Sequence, residues 1–231
     1  MSEPDPLRAL VAVMDRLRSP GGCPWDAEQT HASLVQYLLE ESYETVEAIE
    51  AGDESALREE LGDLLLQVVF HARIAAEADP GFDIDDVARD IVDKLVRRHP
   101  HVFAGEEVSS AADVEAAWFA HKNSEKRRTS VTDGVPLGMP ALLLAAKLHR
   151  RAEHGGITAP FAADEALVAA TEAVADLGDD EQAFGQVLLA LVAVGEARGW
   201  EAEAAARDAA RGYRERLLAA EDAQVLPAED R

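Results

Sequence analysis

Glu41 and Glu44 lie three residues apart, as do Glu60 and Asp63, and each pair sits in a short acidic cluster. The clusters are Glu40-Glu41-Ser42-Tyr43-Glu44 and Glu60-Leu61-Gly62-Asp63. A spacing of three puts both members of a pair on one face of a helix. The clusters flank the break Ala51-Gly52-Asp53, and the pairs Glu41/Asp63 and Glu44/Glu60 are both centred on Gly52. A chain reversal there makes the helices antiparallel and brings the members of each pair to the same height. Four carboxylates then converge with no basic residue among them. Such a group is costly to enclose without a multivalent cation. Oxygen-only ligation favours magnesium, with manganese as the alternative. A solvated acidic helix face is the plainer reading. It suits Glu47, Glu50, Glu54 and Glu59, whereas large apolar residues flank the other four.

A divalent ion among carboxylates suits phosphate chemistry, because it can bridge phosphate oxygens and offset developing negative charge. Cations from the protein are then needed nearby. Lys94, Arg97 and Arg98 supply them at i, i+3 and i+4 on one helical face, followed by His99 and His101. Basic residues near a helix C-terminus also complement its dipole, which is the competing role. Glu40 points roughly 100° away from Glu41 on a helix. It is either the base that positions water, a partner to the ligands, or a surface glutamate. Trp25, after Pro24, either stacks on a nucleobase or packs in the core. His71 reads as a satisfied core histidine, and Lys122, Lys126, Arg127 and Arg128 as a solvated helix end. The chain has no recognisable Ser/His/Asp or Cys/His arrangement and no Gly-rich phosphate loop.

These residues need helices to hold them. Aromatics make up 5% of the chain, alanine is abundant and alternating β-branched runs are few, so helices are favoured over sheets. A first helix spans Leu7 to Leu17 and stops at Ser19-Pro20-Gly21-Gly22. Cys23-Pro24-Trp25-Asp26 forms a turn. The next helix runs to about Glu50 with Leu34, Tyr37, Leu38, Val46 and Ile49 near one stripe. Another spans Glu54 to Ala78, and Asp83 caps a fourth that reaches Arg98 before His99-Pro100. A helix is expected from Ala111 to Arg127 with Trp118. Ser130 to Pro140 is the expected linker. Helices resume over Ala141 to Glu153 and Ala163 to Leu217, broken near Gly178-Asp179 and Gly199, with a frayed tail after Glu221.

The formal net charge of −23 argues against a nucleic-acid polymer or an anionic membrane as partner. Cys23 is the sole cysteine, so no intrachain disulfide framework forms. The polar N-terminus lacks a signal-peptide apolar region, and no apolar run is long enough to span a bilayer. A cytoplasmic location is expected.

The second half echoes the first. The Glu60–Leu64 segment aligns with Ala183-Phe184-Gly185-Gln186-Val187, Gly81-Phe82 with Gly199-Trp200, and Ala88-Arg89-Asp90 with Ala206-Arg207-Asp208. Ala183 stands where Glu60 does and Gln186 where Asp63 does, so only the first half is expected to hold metal.

The runs Gly22-Cys23-Pro24-Trp25-Asp26, Gln29-Thr30-His31 and Tyr37-Leu38-Leu39-Glu40-Glu41-Ser42-Tyr43-Glu44 resemble the MazG family of nucleoside triphosphate pyrophosphohydrolases. The likeness continues through Glu59 to Ala72 and through Lys94 to Phe103. It is specific over about residues 10 to 128 and fainter from Pro136 to Leu217. The resemblance implies an all-α fold of four-helix units that pair, usually as a homodimer. A MazG-like unit over residues 1–128 would precede a linker at 129–140, a degenerate copy at 141–222 and a tail at 223–231. It further implies magnesium on Glu41, Glu44, Glu60 and Asp63, with Lys94, Arg97 and Arg98 meeting the triphosphate. The implied reaction splits a nucleoside triphosphate into monophosphate and pyrophosphate, as in cleansing of the nucleotide pool. Two alternatives stand beside it. A carboxylate-bridged di-iron bundle wants Glu-x-x-His pairs, and Glu41, Glu44 and Glu60 have no histidine three residues on. A nucleotide-binding helical module without turnover fits the second half, where Ala183 and Gln186 replace ligands.

Overall fold

Helix ends follow the breakers and caps. The computed structural model describes residues 5–105, 110, 114, 129–157 and 166–225, and among them the fold is all-α, with no strand. The chain divides into two compact units, Met1–Lys122 and Asn123–Arg231.

In the first unit, α1 (Pro6–Arg18) starts with Asp5 accepting a hydrogen bond from the Leu7 amide and with proline in its first turn. The chain then folds back on the end of α1: the Cys23 amide donates to the Leu17 carbonyl at 2.8 Å. Only glycine fits at position 22, where a Cβ would collide with the carbonyls of Arg16 and Leu17. The expected Cys23–Asp26 turn is instead a short helix, α2 (Pro24–Glu28), which proline at its first position favours. The next two helices are α3 (Val35–Ala51) and α4 (Glu54–Ala75). Gly52 joins them in the left-handed region at φ 68°, which a side chain would disfavour. Asp53 caps α4 by accepting from the Ser55 and Ala56 amides. The reversal is therefore complete within two residues. A capping box of Asp83 and Asp86 opens α5 (Ile84–Arg98), and α6 (Pro100–Phe103) follows directly.

Met14, Leu34, Val69 and Phe70 form the core of this unit, with Leu10, Val11, Leu17, Tyr37, Leu66, Ile74 and Ile84 packed against it. Burying side chains of this kind contributes roughly 1.5–3 kcal/mol each. The stripe expected on α3 is only partly enclosed: Leu34 is buried, Tyr37 and Val46 are half-buried, and Leu38 and Ile49 are exposed. On α4, Leu61, Leu65 and Val68 also face outward. The α3–α4 contact is shared by core residues and carboxylates, which leaves these apolar side chains on outer faces.

A second framework locks α1, α2 and α4. The Arg18 side chain, 3% exposed, donates from Nε and Nη2 to both carboxylate oxygens of Glu77 at 2.9 Å. Its Nη1 donates to the carbonyls of Asp26 and Gln29, and the guanidinium lies 5.4 Å from the centre of the Phe70 ring. Arg73 extends the chain of charges by pairing with Glu77 and Asp15.

The second unit contains α7 (Ala141–His154), α8 (Ala166–Ala175), α9 (Glu181–Ala197) and α10 (Ala202–Val225). Ala166, Ala170, Ala190, Ala193 and Val194 form its core, small residues that let α8 and α9 approach closely. The stretch expected as a linker is tied down: Asp133 accepts from the Thr129 and Ser130 amides, and Arg151 of α7 donates to the Val131 carbonyl. Helix α10 runs past Glu221 to Val225, beyond the expected start of the tail. The helix expected over Ala111 to Arg127, with Trp118 and the basic group Lys122, Lys126, Arg127 and Arg128, lies outside the described residues apart from Val114. So do residues 226–231. Among the described residues no helix is long and apolar enough to cross a membrane.

Candidate metal centre

The α3–α4 hairpin brings one carboxylate oxygen from each of Glu41, Glu60 and Asp63 within 4.8 Å of one another, and all three residues are half-buried. Glu44 lies at the margin. Its side chain is exposed, yet its charge acts on both Glu41 and Glu60. Glu40 is exposed and contributes a small repulsion to Glu41.

The electrostatics follow from that crowding. Partial burial raises the Glu41 carboxyl above its ordinary range, and the charges of Asp63, Glu44, Glu60 and Glu40 raise it further. Glu60 is raised in the same way, first by desolvation and then by Glu44, Glu59 and Asp63. Like charges held this close resist ionisation together. A divalent cation reverses the balance by giving each oxygen a positive partner. The donor set is hard and all-oxygen, and its partial exposure leaves space for water or phosphate oxygens. The residues therefore fit a magnesium- or manganese-type ion.

The basic residues of α5 divide. Lys94 and Arg97 are exposed, whereas Arg98 is 5% exposed at the corner where α5 gives way to α6. Lys94 lines a surface groove with Phe82, Asp86, Val87, Asp90 and Ile91. The three cations share an arc of the helix without forming one exposed face.

Trp25, on α2, is 49% exposed and meets Tyr37 edge-on, with ring centres 5.9 Å apart and planes at 74°. Its outer surface is open to a stacking partner, and its inner edge packs on the ring one turn before Glu41.

Sequence reasoning missed a pairing of two histidines. The Nδ1 atoms of His31 and His71 are 2.7 Å apart and the rings are stacked within 4° of parallel. His71 is therefore not the satisfied core histidine expected: it is half-buried, with Nδ1 paired and Nε2 buried without a partner. It is joined to an exposed histidine forty residues earlier, a contact that no local pattern announces. One hydrogen bond between two Nδ1 atoms needs one proton, so at least one ring accepts through a neutral nitrogen. Burial first, and then the His31 charge, lower the His71 pKa below its ordinary 6.5. Below about that pH the unfolded chain takes up a proton that the folded chain resists, so stability falls as the solution is acidified. The His71→Gln protein is expected to lose less melting temperature than the parent between roughly pH 7 and 5.5. Thermal melts across that range check this, and parallel profiles would refute it.

Comparison with known proteins places these residues in a wider set. The MazG nucleotide pyrophosphohydrolase domain matches residues 29–103, which contain both carboxylate pairs and the α5 cations. A nucleoside triphosphate pyrophosphohydrolase of Escherichia coli K12 is 40% identical over 222 residues, covering 90% of this chain and 84% of that protein. A nucleoside triphosphate pyrophosphohydrolase/pyrophosphatase of Thermotoga maritima is 38% identical over 221 residues, 92% of this chain and 84% of its own. A Mycobacterium tuberculosis nucleoside triphosphate pyrophosphohydrolase is 52% identical over 171 residues, 71% of this chain and 52% of that protein.

Proposed function

This chain belongs to the MazG family, and on that premise we propose that it hydrolyses nucleoside triphosphates to nucleoside monophosphate and pyrophosphate. Magnesium is the working ion, manganese can replace it, and the role is cleansing of the nucleotide pool. The observation that carries this reading is the convergence of Glu41, Glu60 and Asp63 oxygens within 4.8 Å. Those three and Glu44 would hold the ion. When bound, it neutralises phosphate oxygens and makes a coordinated water more acidic.

The chain's own side chains do the rest. Glu40 is exposed beside the cluster and orients the attacking water as a general base. Lys94 and Arg97 reach the triphosphate from exposed positions and offset charge on the departing pyrophosphate, with Arg98 adding positive potential from its enclosed corner. Trp25 offers its open face to the nucleobase. Turnover belongs to the first unit, because Ala183 and Gln186 of α9 stand at the echoed ligand positions.

A homodimer suits the exposed apolar row Leu61, Leu65 and Val68 on α4. Gly62 beside it supports the same reading, since a Cβ there would meet nothing in this chain, while glycine inside a helix costs about 1 kcal/mol relative to alanine. A lone cysteine fits a reducing cytosol.

A pyrophosphate-release screen over ordinary and damaged nucleoside triphosphates, with and without magnesium, tests the reading. Pyrophosphate and monophosphate should form in equal amounts, cease with a chelator, and return with magnesium or manganese. Release of orthophosphate instead, or turnover indifferent to the chelator, would overturn it.

A further inference from the structure

The two carboxylate faces continue past the metal centre in the same direction. Tyr37 lies four residues before Glu41 on α3, and Gln67 four residues after Asp63 on α4. A step of four turns a helix only about 40° beyond a full circle, so both residues stay on the faces that carry the carboxylates. The register that sets Glu41 opposite Asp63 therefore sets Tyr37 opposite Gln67, about 6 Å further along the axes. His71 follows four residues later, paired with His31, and Trp25 stands at the edge of Tyr37.

Gln67 does not belong there on grounds of stability. It is 5% exposed on a helix whose neighbours Val69 and Phe70 are core, and its Oε1 is buried with no hydrogen-bond partner. His71 Nε2 on the same face is in the same condition. Leaving a buried polar atom unsatisfied costs about 1–3 kcal/mol. A leucine would satisfy the packing at no such cost, and two such atoms on one face beside a polar site leave hydrogen bonds for a ligand or an ordered water to supply.

We propose that Gln67 reads the nucleobase of the triphosphate, its Oε1 accepting a hydrogen bond from an N–H on the base edge. This rests on the reading of Glu41, Glu44, Glu60 and Asp63 as the anchor for the phosphates. A nucleotide held there has its base one ribose away, the span of the next turn of the hairpin. An amide offers an acceptor and a donor side by side, which matches the paired groups on base edges. The base reaches Gln67 when Tyr37 turns aside; Tyr37 is half-buried, packs on the rim of the core and meets Trp25 edge-on.

The test measures kcat/KM for pyrophosphate release from the four common ribonucleoside triphosphates, using the full chain with Gln67→Leu and Gln67→Glu. In Gln67→Leu the preferred base should lose at least about tenfold, and the ratio between best and worst base should shrink. Manganese affinity should stay unchanged and the melting temperature equal to or above that of the parent. Gln67→Glu accepts only, so it should move the ranking toward bases with an exocyclic amino group, and it serves if the leucine variant does not fold. Base ratios within twofold of the parent in a folded variant overturn this inference alone, as does a parent indifferent to base. A parent that releases pyrophosphate from no nucleotide overturns the functional reading and this inference together.

Discussion

The Asp63→Asn protein is expected to release pyrophosphate about a thousandfold more slowly than its parent while melting, without metal, at the same temperature or higher. Those two outcomes seldom go together. Loss of a ligand removes several kcal/mol of charge stabilisation from the reaction, and each 1.36 kcal/mol is tenfold in rate. Asparagine keeps the shape of the side chain, so packing on α4 is unchanged. In the metal-free chain the Asp63 charge opposes ionisation of both Glu41 and Glu60. Removing it relieves that repulsion.

The pH dependence carries the same sign. Glu41 and Glu60 are raised above 4.5 in the folded chain, so the folded state holds protons more tightly than the unfolded one just above that value. These two groups therefore add stability to the metal-free parent as pH falls through that window, and add less in Asp63→Asn. Manganese should raise the melting temperature of the parent and leave the variant unmoved, since only a chain that binds the ion gains from it. Turnover within tenfold of the parent would remove Asp63 from the site. A metal-free melting temperature several degrees lower would show that the carboxylate supports the fold.

The carboxylate hairpin was legible because its causes are local. Gly52 and Asp53 are a left-handed stop and an N-cap in adjacent positions, and together they fix where two helices reverse. Once the reversal is placed, equal spacing from it sets Glu41 opposite Asp63 and Glu44 opposite Glu60. Yet the oxygens within 4.8 Å of one another are those of Glu41, Glu60 and Asp63, with Glu44 exposed at the margin. The same locality explains why Pro6, Asp83 and Pro100 mark helix ends so closely.

Contacts between distant segments were not legible. His31 and His71 are joined by packing of the connector before α3 against α4, and neither neighbourhood carries a periodic signal for it. Enclosure of Arg98 at the α5–α6 corner has the same origin: i, i+3, i+4 spacing fixes an azimuth but not what covers it. The α2 helix was read as a turn because five residues are too few to show a period. Leu38 and Ile49 read as part of a packed stripe from their spacing, and a single chain leaves them outside.

Arg18 is another residue that spacing did not reveal, and replacing it should cost as much stability as emptying a core position. Arg18→Ala is expected to destabilise the protein by about 3 kcal/mol. Glu77 is partly exposed and keeps Arg73 at 2.9 Å, so it is not left as a bare buried charge. The loss comes from elsewhere. The carbonyls of Asp26 and Gln29 lose their donor, the Phe70 ring loses a cation over its face, and the space of a guanidinium 3% exposed is emptied. For a unit of this size the melting temperature should drop on the order of 10 °C. Arg18→Lys keeps the charge but cannot make the two-pronged contact with Glu77, so it should fall between the two. The damage should also reach the substrate. Asp26 directly follows Trp25, and Gln29 donates from its side chain to the Trp25 carbonyl, so a folded Arg18→Lys protein should show a higher KM with kcat little changed. If Arg18→Ala melts within about 1 °C of the parent, the clamp is ornamental. If KM and kcat fall together in Arg18→Lys, the segment it holds does more than receive the base.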